Sequence, residues 1–120
     1  MHKKALLIID HGSKKEEANL MLFDVVQAMQ KKRPDLIIEG AHMELAKPNI
    51  EDGINQCIQK GARHIVAQPF MLSPGRHTTE DIPNIVHKIA EKHPNIHIKT
   101  AKHFGLHKKI IDILLDAAEL

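Results

Sequence analysis

The chain has 120 residues, of which 42% are hydrophobic and 27% charged, and its 17 basic and 15 acidic side chains leave a net charge of +2. That length suits one domain, and the balance is that of a globular chain rather than a disordered one. Near-neutral charge, with Phe23, Phe70 and Phe104 as the only aromatic residues apart from histidine, argues against a nucleic-acid partner, which needs a concentrated basic face and stacking platforms.

Residues 5–9 read as a strand buried on both faces, because they are apolar without alternation. This is also the longest apolar run, far short of the ~20 residues of a membrane span and too short for a secretory leader. A cytoplasmic protein is expected. The strand ends at the polar turn Asp10-His11-Gly12-Ser13. A helix follows over about 16–32, with Ala18, Leu22, Val25, Val26 and Met29 on one face and Pro34 as its stop. Residues 36–43 form the second strand.

Asn49 is placed to cap a second helix, with Glu51 and Asp52 in its first turn and Ile50, Ile54, Cys57 and Ile58 as its buried stripe. Cys57 is the single cysteine, so no disulfide forms within the chain, and its place in an apolar stripe predicts an inert thiol. Gly61 ends that helix, and residues 64–70 are the third strand. After the loop 73–77, Thr78 or Thr79 caps a helix that tolerates Pro83 in its first turn and buries Ile82, Val86, Ile89 and Ala90. Residues 95–101 alternate in part, which suits a sheet edge. Leu106, Ile110, Ile113, Leu114 and Ala117 make a final amphipathic helix.

Four strand-then-helix repeats imply an α/β fold, with a parallel sheet covered on both faces. In such sheets ligands bind beyond the carboxyl ends of the strands. His11 and His77 each follow a strand and lie near a glycine. Two converging imidazoles could bind a divalent metal or accept protons; the alternative, turn histidines bonded to local backbone, stands level with that reading. Glu44 lies two residues past His42, so a continuing strand would project both to the same side. Its carboxylate could ligate metal, take a proton, or be solvated. Lys14, Lys15, Lys47 and Arg76 could ring the same mouth with positive charge. His103 and His107 follow the fourth strand, while His2, His64, His87, His93 and His97 read as terminal, strand or helix-surface positions. No glycine-rich phosphate loop and no Gly-x-Ser-x-Gly elbow is present.

The segments Leu7-Ile-Ile-Asp-His-Gly-Ser13, Ala41-His-Met-Glu-Leu-Ala46 and Pro69-Phe-Met-Leu-Ser-Pro-Gly-Arg-His77, followed by Glu80-Asp-Ile-Pro83, resemble the sirohydrochlorin chelatases. The form of the first two is closest to the ferrochelatases of sirohaem synthesis. The resemblance implies a chelatase-like, flavodoxin-like three-layer sandwich with a four-stranded parallel sheet. It implies insertion of a divalent metal, ferrous iron first, into sirohydrochlorin; related members insert cobalt or nickel. Longer members hold two lobes around a cleft, so residues 1–120 correspond to one lobe, expected to pair as a homodimer. It implies His11 and His77 as metal-binding, catalytic histidines, Glu44 as an acidic partner, and Ser13, Lys14, Ser73, Gly75 and Arg76 about the substrate. Lys14 stands where many relatives carry arginine, which keeps charge but loses the bidentate fork. No prosthetic group and no iron–sulfur cluster is expected. The rival readings are a metal carrier or sensor without chemistry, and a flavin or small-ligand binder, the latter weakened by the missing phosphate loop and stacking residues.

Overall fold

A computed structural model describes residues 3–73, 75 and 80–120. Strand β1 (Lys3–Asp10) leads through α1 (Glu16–Lys32) to β2 (Ile37–His42), then α2 (Ile50–Gln59) and β3 (Ala62–Pro69). Helix α3 (Ile82–Ala90), β4 (His97–Thr100) and α4 (Lys108–Ala117) complete the order. The four strands are parallel, in the spatial order β2-β1-β3-β4.

That order dictates where the helices go. The step from β1 to β2 runs one way across the sheet, and the steps from β2 to β3 and from β3 to β4 run the other way. Right-handed crossovers therefore put α1 on one face and α2 and α3 on the opposite face. The cores agree. Ile8, Leu22 and Ile38 pack together under α1, while Leu7, Ile9, Ile54, Cys57, Ile65, Ile82 and Val86 fill the α2–α3 side. Burying each such side chain stabilises the fold by roughly 1.5–3 kcal/mol before chain entropy is set against it. Central β1 feeds both cores, which is why its sequence is apolar without alternation.

The expected elements are present, with shifts at their ends. Asn49 caps α2 as expected, in a reciprocal box with Asp52. Strand β2 stops at His42 because the His42 N–H turns to the Pro48 carbonyl at 2.8 Å. The α1 stripe is shallower than expected: Leu22 is buried, Val25, Val26 and Met29 are half-buried, and Ala18 is exposed. The candidate caps Thr78 and Thr79 lie outside the described residues.

The expectation of a sheet covered on both faces needs correction at one quarter. Helix α4 forms at its expected place but buries none of its residues, and it packs extensively on no strand. The α1-side face of β3 and β4 is left open to solvent at His64, His97 and Lys99. Among the described residues, no helix is long and apolar enough to cross a membrane.

Candidate functional site

The carboxyl ends of β1 and β2 build the site from backbone upward. Past the last strand pair, Asp10 with His42, the chains remain zipped. The Met43 N–H donates to the Asp10 carbonyl at 2.9 Å and the Glu44 N–H to the His11 carbonyl at 3.1 Å. Gly12 permits this approach. Its φ is +92°, and a Cβ there would lie 1.9 Å from the Glu44 carbonyl oxygen. No side chain fits that space, and the left-handed backbone disfavours one anyway.

The result is a meeting of His11 and Glu44, with imidazole Nε2 3.3 Å from carboxylate Oε1 and the side chains 47% and 51% exposed. His11 Nδ1 lies 3.3 Å from the Gly12 carbonyl oxygen, so a proton on Nδ1 finds an acceptor there in the tautomer whose Nε2 carries the electron pair a metal needs. Metal bonds of about 2.1 Å to nitrogen and oxygen would span that 3.3 Å gap at roughly 105°, a tetrahedral bite.

Glu44 reaches this position by a route other than the one its spacing suggested. His42 and Glu44 do not share one side of a continuing strand. His42 is fully buried, its Nδ1 donating to Asp10 Oδ1 at 2.6 Å and its ring edge-on to Phe23 at 5.7 Å between centroids. Glu44 lies in the turn beyond, next to Leu45 with φ +71°, and points outward. The pairing of half-buried Asp10 with buried His42 is the element that sequence reasoning missed. It ties the last residue of β1 to the last of β2, directly behind His11. The sequence held half of the signal: both are polar residues that end apolar strands, and the register that pairs them comes only with the fold.

Ser13 is held by α1, its N–H and carbonyl bonded to the Asn19 side chain at 2.9 and 2.7 Å. Its hydroxyl accepts the Lys15 N–H at 3.0 Å. Lys14, Lys15 and Lys47 are exposed around the same end, as are Ser73 and Gly75 after β3. Arg76 and His77 lie outside the described residues. Among the described residues no three histidine, cysteine, aspartate or glutamate side chains gather for a metal.

Beyond β3 and β4 the segments stay paired, with the Phe104 N–H donating to the Met71 carbonyl at 3.1 Å. There Phe70 and Phe104 pack edge to face at 5.5 Å. With Leu72, Ile110, Ile113 and Leu114 they line an apolar groove of about 550 Å³ under α4. His107, a candidate for metal supply, instead caps α4, its Nδ1 accepting the Lys109 N–H at 3.0 Å. Burial, with Glu39 nearby, pushes the Cys57 thiol up to about 12, in line with the inert thiol expected of it.

A sequence profile of the CbiX family matches residues 5–119. The chain is 40% identical to the chloroplastic sirohydrochlorin ferrochelatase of Arabidopsis thaliana, over 92% of this chain and 49% of that protein. It is 30% identical to a sirohydrochlorin cobaltochelatase of Sulfolobus acidocaldarius, over 95% of this chain and 89% of that one. The structure superimposes with a TM-score of 0.90 on the sirohydrochlorin chelatase SirB of Bacillus subtilis subspecies spizizenii in complex with cobalt, at 26% identity, over 98% of this chain and 50% of SirB. The chain thus spans about half the length of the Arabidopsis enzyme and of SirB.

Proposed function

Because this chain belongs to the CbiX family, we propose that it inserts a divalent metal ion, ferrous iron first, into sirohydrochlorin to give sirohaem. The observation that carries the reading is the meeting of His11 and Glu44 at the carboxyl ends of two buried strands. Likeness to a ferrochelatase at 40% identity supports iron; likeness to a cobaltochelatase keeps cobalt as the alternative. Histidine and carboxylate ligands accept several late divalent ions, so the donor set itself does not choose.

The chemistry asks for an incomplete ligand set and for bases. The metal enters as the divalent ion, two pyrrole N–H protons leave, and the products are the metallated ring and two protons. His11 Nε2 and Glu44 Oε1 hold the metal substrate by one edge, leaving its other positions to water and then to ring nitrogens. His77 completes the set and, with Glu44, takes the protons on to solvent. Neutral imidazole and carboxylate are the right species, since a protonated histidine can neither ligate nor accept. Lys14, Lys47 and Arg76, with Ser13, Ser73 and Gly75, orient a macrocycle that carries many carboxylates.

The 120 residues act as one lobe, and a second copy supplies the other, giving a homodimer in the cytoplasm. The apolar side chains that α4 leaves in solvent support this pairing. Absorbance spectra of sirohydrochlorin with ferrous iron, cobalt or nickel test the activity. His11→Ala and His77→Ala should each lower the insertion rate by about 10²-fold or more, and Glu44→Gln by less. Unchanged rates in both histidine variants would remove the mechanism. Tight metal binding without any metallation would turn the reading toward a carrier.

A further inference from the structure

The quarter of the sheet that no helix covers holds a second pair of histidines, one the proposed reaction does not use. His64 on β3 and His97 on β4 are direct partners in the parallel register, so both side chains leave the same face. Their rings lie 5.3 Å apart between centroids, tilted by 56°, and both are exposed. Together with Lys4 and Lys99 they line a shallow cavity of about 210 Å³.

We propose that His64 and His97 form a second metal site, a two-imidazole chelate for a late first-row divalent ion such as zinc, nickel or cobalt. The spacing fits. With metal–nitrogen bonds of about 2.0–2.1 Å, a metal sits about 3.2 Å from each ring centre, and two rings at a tetrahedral angle lie about 5.2 Å apart. The strands fix both backbones, so once one imidazole binds, the second is presented at an effective concentration of millimolar order or above. Water fills the remaining positions, since the described residues offer no third protein ligand there.

Lys4 and Lys99 are the charged groups that face the pair. Each ammonium opposes the ion, but water screens the repulsion at this open face, and its flexible stem lets it swing away. The strand pairing keeps the two imidazoles side by side while the ammonium groups can turn to water, so chelation outweighs this repulsion. The site is separate from the one proposed for insertion. His64 pairs with Lys4, near the start of β1, whereas His11 lies just past its end, about 20 Å away along an extended strand.

Calorimetric titration of the full chain with Zn²⁺ tests this without any insertion assay. One equivalent should survive His11→Ala, and on that background His64→Gln or His97→Gln should each weaken it at least about tenfold. Ni²⁺ should broaden the ring resonances of His64 and His97 together, ahead of those of His87 and His93. His64→Gln alone should leave the rate of metal insertion unchanged. An equivalent that persists in both glutamine variants, the absence of any such equivalent, or broadening of one ring without the other overturns the proposal. Inorganic phosphate separates the competing chemistry: ring shifts with phosphate and none with metal would make the patch an anion site and end the metal reading.

Discussion

Helices α3 and α4 carry similar apolar stripes and meet opposite fates. On α3, Ile82, Val86 and Ile89 are 0%, 2% and 6% exposed; on α4, Ile113 and Leu114 are 59% and 60% exposed. The stripe in each case fixes a helix and a face. It does not fix what that face meets. Helix α3 is joined at both ends to strands that are neighbours in the sheet, so its crossover presses the stripe onto β3 and β4. Among the described residues, α4 is joined to the sheet only through its amino end, and it stands over the paired segments beyond β3 and β4 rather than on the strands. The 49 Å long axis of the molecule, against 31 and 28 Å across, reflects that placement.

The largest effect expected from this contrast is on stability. Ile82→Ala removes a side chain that is fully buried among β3, β4 and α2 and should cost about 2–5 kcal/mol, as large-to-small changes in closed cores do. Leu114→Ala, at a face open to solvent, should cost under about 0.5 kcal/mol when the chain is dilute. Urea unfolding at low protein concentration measures both. Equal losses would mean that the α4 face is packed in solution, and the contrast would fail.

The next effect is on association. If a second copy covers α4, Leu114→Asp places a carboxylate in an apolar contact with no partner for it. The dimer should weaken by at least about tenfold, or 1.4 kcal/mol, while the folded monomer persists. Sedimentation equilibrium reads the first and circular dichroism the second. Wild-type stability should then rise with concentration, as for any equilibrium coupled to assembly. A wild-type chain that stays monomeric at high concentration, with α4 intact, would remove the homodimer from the proposed function.

The same contrast explains how much the sequence discloses. Strand β1 is legible because burial on both faces leaves no room for polar alternation, and α2 because Asn49 and Asp52 write its start in local chemistry. His11 and Gly12 are legible by position, each directly past a buried strand. The outcome at Glu44 was harder to read. Its approach to His11 depends on a turn that ends β2 at His42, set by a bond from His42 to the Pro48 carbonyl, a contact that spacing alone does not encode. The Asp10–His42 pair and the His64–His97 pair are products of register. Strand order and alignment must be known before either appears. His77 and Arg76 lie outside the described residues, so their part in the site rests on the motif around them.

The smallest effect tests what holds α3 in place. Beyond its apolar stripe, α3 is linked to α2 through Lys92, just past its end, whose Nζ lies 2.8 Å from Glu51 Oε2, with the two side chains 63% and 40% exposed. An ion pair that open to water gains little, because solvent screens the attraction and two long side chains lose freedom. Lys92→Ala should therefore cost under about 1 kcal/mol, and the loss should shrink in molar salt, where the screening length falls to about 3 Å. Ile82→Ala should keep its full cost under those conditions, since cavity formation does not depend on ionic screening. If the lysine variant proved as damaging as the isoleucine one, and stayed so in salt, charge rather than burial would be what separates α3 from α4.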